Sequence, residues 1–188
     1  RKFTLENSNA KTPLKGKLII YFDPCLEKRA AYAAHPAFSK LFLTDEWDEE
    51  NRCLVFSRRE RDSQKSCAVA AGIAQNEKIS AETSREKVLT TPCGVFSLGE
   101  KTDFACDRGN PDCCCAFSVE IELRPREKKA VTMFLAVEET KELAVNTFLT
   151  AKSAKNAVKS GSNIFYAGTF DNAVANAVLP MLLFPQSS

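Results

Sequence analysis

Short segments in which apolar and polar residues alternate recur along the chain, and each predicts a β-strand. In the segment 118–124, Val119, Ile121 and Leu123 alternate with polar residues, which gives the strand one apolar face. The turn at 125–128 leads into the apolar run 130–137, so these two segments predict a β-hairpin.

A second hairpin is predicted from the segment 40–47, a polar turn at 48–51 and the segment 52–57. Three further strands are predicted, at Phe3–Leu5, Leu18–Phe22 and Cys67–Ile73. About seven strands joined by turns predict a mainly β fold, an antiparallel β-sandwich.

The C-terminal part of the chain changes character and predicts helices. From Glu138 to about Lys155 the apolar residues are near helical spacing, with acidic residues early and basic residues late. A second helix is predicted to begin at Asp171, and Pro180 would kink or end it.

The charge balance excludes two classes of partner. Lysine and arginine total 26 and aspartate and glutamate total 24, so the formal net charge is +2, which indicates neither nucleic acid nor an anionic membrane. No apolar run approaches the roughly 18 residues of a membrane span, and the N-terminus lacks the apolar core of a signal peptide. Because the chain of 188 residues begins without methionine, we expect one domain cut from a larger protein.

The candidate catalytic and metal-binding groups are few. His35 is the only histidine, and a Cys–His dyad remains an alternative to a structural role in which His35 and Pro36 begin a turn that places Phe38 in the core. The eight cysteines include the run Cys113–Cys115 but form no Cys-x-x-Cys knuckles, so we expect no metal site. Reduced, buried thiols of a cytoplasmic protein are the simpler interpretation.

Groups that suit carbohydrate are also present. No glycine-rich phosphate loop occurs, so no nucleotide cofactor is expected. Trp47 and Tyr32 are candidate platforms for the faces of sugar rings. The run Arg58-Arg59-Glu60-Arg61 is interrupted by an acid and predicts a solvated loop that can orient an anionic group.

Several strings resemble segments of glycoside hydrolase family 94 in the same order. They are YFDPCL at 21–26, AAHPAFSKLF at 33–42, LVFSRR at 54–59, ETSREKVL at 82–89, DCCCAF at 112–117 and NAVLPMLLFP at 176–185. The sequence departs from the family after Leu89, where Thr90 and Thr91 replace a Gly-Arg pair. The family contains cellobiose and oligoglucan phosphorylases and the phosphorylase-like part of cyclic glucan synthases.

The resemblance implies a fold and a division of labour. It implies an N-terminal β-supersandwich, similar to galactose-mutarotase-like sandwiches, over residues 1–160, and a linker over 161–188 toward an absent (α/α)6 barrel. The barrel would carry the general acid of an inverting phosphorylase, so no catalytic residue is expected in this chain. The sugar-binding candidates are Trp47, Tyr32, His35, Arg58, Arg59 and Arg85.

Two functions therefore remain open for the chain itself. The first is a non-catalytic accessory domain that binds a β-glucan oligosaccharide, contacts the catalytic barrel and supports a homodimer. The second is a purely structural domain that packs against its neighbours without any affinity for sugar.

Overall fold

The computed structural model describes residues 1–27, 29–58, 67–74, 78–88 and 111–153. The strands are β1 (Lys2–Glu6), β2 (Leu14–Phe22), β3 (Leu43–Asp48), β4 (Cys53–Arg58), β5 (Ala68–Ile73), β6 (Ile79–Ser84), β7 (Cys113–Leu123) and β8 (Lys128–Glu138). The helices are α1 (Arg29–Ala34), α2 (Pro36–Lys40), α3 (Arg85–Val88) and α4 (Lys141–Ser153). Within these ranges, no helix combines the length and apolarity that crossing a bilayer requires.

The strands form two antiparallel sheets, which confirms the predicted β-sandwich. In the described residues, one sheet has five strands in the order β1-β8-β5-β4-β3, and the other has three in the order β2-β7-β6. The main core lies between the sheets and includes Phe56 and Val69 from the first sheet and Phe117 and Val119 from the second. The predicted strands around Phe3, Leu18 and Cys67 correspond to β1, β2 and β5.

The cysteine run is explained by burial of β7 on both of its faces. Cys113 and Cys115 point into the main core, whereas Cys114 points to the opposite face, where it packs with Val88 and Ala116. All three side chains are fully buried. A strand covered on both faces needs apolar residues at consecutive positions, and a buried thiol serves as a small apolar side chain there.

One predicted hairpin is wrong and the other is confirmed. β7 pairs with β2 and β6, whereas β8 pairs with β1 and β5, so these consecutive strands lie in different sheets. Both edges of β8 are occupied by partner strands. The connection from β7 to β8 passes from one sheet to the other through a turn in which Arg126 has a φ of 61°. The hairpin of β3 and β4 does form, with Asp48 opposite Cys53, although its first strand begins at Leu43 and not at residue 40.

Helix α4 occupies most of the predicted segment 138–155. The Thr140 hydroxyl accepts a hydrogen bond from the Leu143 amide at 3.2 Å, which caps the helix and leaves Glu138 in β8. Ala144 and Phe148 are fully buried against the outer face of the five-stranded sheet. The second predicted helix and the linker 161–188 lie outside the described residues.

The prediction that Phe38 enters the core is wrong. Pro36 begins the short helix α2, and within this helix Phe38 is half exposed while Ser39 and Lys40 are buried. The Lys40 ammonium reaches two carboxylates, at Asp23 and Asp112. Those ion pairs fix the rotation of the helix so that Phe38 points away from the core.

Candidate functional site

Residues from four separate segments meet at one end of the three-stranded sheet. The register places Phe22 opposite Cys115 and Ser84 opposite Cys113, so β2 and β6 both end where β7 begins. Asp23 follows β2, Arg85 follows β6, Asp112 precedes β7, and Lys40 reaches them from α2. Together with Tyr21, these four residues form a group that we call the polar cluster.

The polar cluster is held by hydrogen bonds and ion pairs. The Lys40 ammonium lies 2.7 Å from Asp112 Oδ1 and 3.4 Å from Asp23 Oδ1. Arg85 Nη1 donates to Asp23 Oδ2 at 3.0 Å, and its Nε lies 3.9 Å from Asp112 Oδ2. The Tyr21 hydroxyl donates to Asp23 Oδ1 at 2.8 Å. Two carboxylates therefore balance two cations.

The surroundings of Lys40 and Tyr21 shift the pKa of both side chains upward. Burial opposes the charge on Lys40, but its hydrogen bond to Asp112 and the charge of Asp23 outweigh that effect, so its pKa is raised. Burial, reinforced by the hydrogen bond to Asp23, raises the pKa of Tyr21. Neither group is therefore prepared to exchange a proton near neutral pH.

Exposure increases across the cluster. The side chain of Lys40 is 7% exposed, that of Asp23 28%, that of Arg85 36% and that of Asp112 58%. The backbone ties the two outer residues together, because the Arg85 amide donates to the Asp112 carbonyl at 3.2 Å. We call Arg85 and Asp112 the exposed pair.

The comparison with protein families bears on these segments. The model of the glycosyl hydrolase 94 supersandwich domain matches residues 1–153. The chain belongs to this family. A comparison with curated proteins gave no match. All five residues of the polar cluster lie within the region matched to the family 94 domain, and membership supports an accessory domain of a glycoside phosphorylase-like enzyme.

Two of the predicted sugar-binding residues come together in this family 94 domain. Arg85 belongs to the exposed pair. Tyr32, on α1, is 9% exposed, and burial raises the pKa of its phenol, while the charges of Lys40, Asp23 and Arg85 also act on it. Tyr32 is therefore within electrostatic range of the polar cluster, and it offers little of its ring to solvent.

Two other predicted sugar-binding residues of the family 94 domain, Trp47 and His35, are placed differently from Arg85 and Tyr32. Trp47 is partly buried against the main core, and its indole N–H donates to the Glu49 carboxylate. His35 is exposed and precedes α2 without capping it through its side chain.

Arg58 is not part of a solvated loop. Its side chain is 11% exposed, pairs with the Glu27 carboxylate and lies over the Phe42 ring at 5.4 Å. These contacts hold the end of β4 against the segment before α1. Arg59 lies outside the described residues.

The thiols that the structure describes do not favour a Cys–His dyad. The six described cysteines are buried and free. Burial raises the pKa of Cys53 and of Cys67 to about 12, and it also raises the pKa of Cys25. The nucleophilic thiolate is therefore disfavoured at neutral pH. In the described ranges, no group of three or more His, Cys, Asp and Glu side chains is arranged to hold a metal ion.

Sequence reasoning did not single out Asp23, Lys40 and Asp112 as functional residues. Each lies inside a string that resembles the family, directly beside the end of a strand or helix. One signal was available in the sequence: these strings place charged residues at the ends of strands and helices. Strand ends lie together at one edge of a sheet, so such residues can meet there. No spacing along the sequence indicated which charges pair.

Proposed function

We propose that this chain is a non-catalytic accessory domain of a glycoside phosphorylase-like enzyme, and that its exposed pair contacts a β-glucan oligosaccharide. The observation that carries the proposal is the convergence of four family-like segments on a partly exposed arginine and aspartate. The guanidinium donates hydrogen bonds and the carboxylate accepts them. A sugar hydroxyl both donates and accepts, so adjacent groups of these two kinds suit neighbouring hydroxyls.

The non-catalytic role follows from the pairing of the carboxylates. Glycoside cleavage needs one carboxylic acid that stays protonated until it donates to the leaving oxygen. Asp23 and Asp112 each lie within ion-pair distance of both Lys40 and Arg85, so both carboxylates are engaged in holding the polar cluster together. In the whole enzyme, the general acid would therefore belong to a separate catalytic barrel that transfers a glycosyl group to phosphate or to another sugar.

Two further elements of the proposal concern assembly and compartment. Phe38 and Leu41 are 50% and 55% exposed beside α2, and such apolar side chains support contact with a second copy or with the barrel. The six buried free cysteines support a reducing compartment, and we propose the cytoplasm.

A structural role without sugar affinity is the second candidate. The observation that favours it is that the inner members of the polar cluster satisfy each other, with Lys40 almost fully buried between two carboxylates. Such a network can have a purely structural role, which is to join four segments of the chain.

Titration of the chain with sophoro-, laminari- and cello-oligosaccharides, followed by NMR, separates the two candidates. Accessory binding predicts that at least one sugar shifts the Arg85 side-chain signal, with an affinity on the order of millimolar. Arg85→Gln should abolish the shift, whereas Arg124→Gln, at an exposed arginine outside the polar cluster, should preserve it. If no sugar in the series shifts Arg85, the structural role is correct.

A further inference from the structure

Two carboxylates contact the guanidinium of Arg85 unequally. Asp23 Oδ2 lies 3.0 Å from Nη1, within hydrogen-bond distance, whereas Asp112 Oδ2 lies 3.9 Å from Nε. Among the described residues, no hydrogen bond or ion pair engages Nη2. The orientation of Arg85 therefore depends mainly on Asp23, and its Nη2 donors remain available.

Asp23 is itself held in place from several sides. Its Oδ1 accepts the Tyr21 hydroxyl at 2.8 Å and lies 3.4 Å from the Lys40 ammonium, so both carboxylate oxygens are engaged. Pro24 follows it in sequence, and a residue before proline is restricted to extended backbone conformations. The acceptor for Arg85 is therefore fixed through both its side chain and its backbone.

We propose that Asp23 is the positioning residue that orients Arg85 and presents its Nη2 edge to ligand. An arginine side chain has many rotamers, and fixing one of them before binding removes part of the entropic cost of association. Asp112, which is more exposed and more distant, contributes little to this orientation. The consequence for ligand binding rests on the proposed function, whereas the orientation of Arg85 does not.

The first test measures the order of Arg85 without any ligand. Asp23→Asn keeps the side-chain shape and an oxygen that accepts from Tyr21, but it removes the charge that holds the guanidinium. We expect the Arg85 Nε and Nη protons to exchange with water several-fold faster than in the wild type, toward the rate of the exposed Arg124. Asp112→Asn is the matched control and should leave the exchange close to that of the wild type. Unchanged exchange in Asp23→Asn, or an equal increase in both variants, overturns the proposal.

A measurement on the unmodified chain keeps the proposal testable if Asp23→Asn does not fold. Rotation about the Nε–Cζ bond exchanges Nη1 with Nη2, and the hydrogen bond from Nη1 to Asp23 hinders that rotation, so the Nη1 and Nη2 signals of Arg85 should stay separate at temperatures where those of Arg124 have merged. Merging of both sets of signals at the same temperature refutes the positioning role.

The ligand test uses the oligosaccharide that gives the largest shift in the wild-type chain. We expect Asp23→Asn to bind this oligosaccharide about tenfold more weakly than the wild type. Asp112→Asn should weaken binding only through its own lost contact with the sugar, without any increase in the mobility of Arg85. Equal affinity of Asp23→Asn and wild type overturns the positioning role. If the wild type binds no sugar, the proposed function fails, and the exchange measurement alone decides whether Asp23 positions Arg85.

Discussion

The docking of α4 on the five-stranded sheet depends on a close contact between the Phe148 ring and Gly72. Phe148 is fully buried. A Cβ atom built on Gly72 would lie 2.6 Å from Cζ and 2.9 Å from Cε2 of that ring, and 3.1 Å from the Arg52 carbonyl oxygen. The first two distances are shorter than the non-bonded contacts that Cβ atoms make in proteins, so Gly72→Ala must displace the ring.

The two substitutions at this contact should be strongly coupled. Gly72→Ala alone should lower the free energy of unfolding by about 1–3 kcal/mol through overpacking. Phe148→Ala alone should lower it by about 3–5 kcal/mol, because it removes a buried ring and leaves a cavity. In the double variant the new methyl group enters the vacated space, and alanine is favoured over glycine within a strand by about 0.5–1 kcal/mol. Adding Gly72→Ala to Phe148→Ala should therefore cost less than about 1 kcal/mol, mainly from the carbonyl of Arg52.

Urea unfolding followed by far-UV circular dichroism measures all four corners of this double-mutant cycle. Leu143→Ala, on the same helix but 47% exposed, is the control and should change the free energy of unfolding by no more than about 0.5 kcal/mol. A cost of Gly72→Ala that is the same with and without the Phe148 ring would refute the reasoning, because independent sites add.

Three other predictions concern stability. Lys40→Met should lower the free energy of unfolding by about 2 kcal/mol, because it removes a nearly buried cation shared by two carboxylates and leaves Arg85 as their remaining partner in the polar cluster. Lys15→Met breaks an exposed ion pair and should change the free energy of unfolding by less than about 0.5 kcal/mol; urea unfolding compares the two variants. Asn7→Ala should cost about 2 kcal/mol in the same assay, since the side-chain amide of Asn7 donates to the carbonyls of Thr12, Leu123 and Arg124. Burial raises the pKa of Cys67 to about 12, whereas a cysteine in the unfolded chain titrates at about 8.5, so the unfolded state loses its proton first and the free energy of unfolding should fall between these two pH values. In Cys67→Val the free energy of unfolding should fall less steeply with pH, by up to about 1.4 kcal/mol per pH unit, and an equal slope in both proteins contradicts the burial effect.

Alternation along the sequence determines which residues form strands but not which strands pair. The pattern at 118–124 correctly places Val119 and Leu123 on the core side of β7. The same pattern suits a hairpin and a crossing between two sheets equally well, because in both cases each strand has one apolar face. The difference lies in long-range contacts, including the pairing of β8 with β1 at the other end of the chain.

The prediction at Phe38 failed for a related reason. An aromatic residue after a turn suits a core position, but Phe38 is half exposed and this helix buries Lys40 instead. Its partners Asp23 and Asp112 are 17 and 72 residues away in sequence. A lysine becomes a core residue only when such partners balance its charge, and sequence periodicity contains no information about them.

The exposure gradient of the polar cluster separates its structural role from its proposed binding role. Lys40, 7% exposed, can contribute only to the fold, whereas Asp112, 58% exposed, can lose its charge at a small cost to stability because water replaces its partners. Arg85 and Asp23 lie between these limits, so their substitution should affect both properties. The more exposed the substituted residue of the polar cluster is, the smaller its effect on the free energy of unfolding should be and the larger its effect on sugar affinity. If affinity instead follows stability at every position, the cluster only joins the segments of the fold.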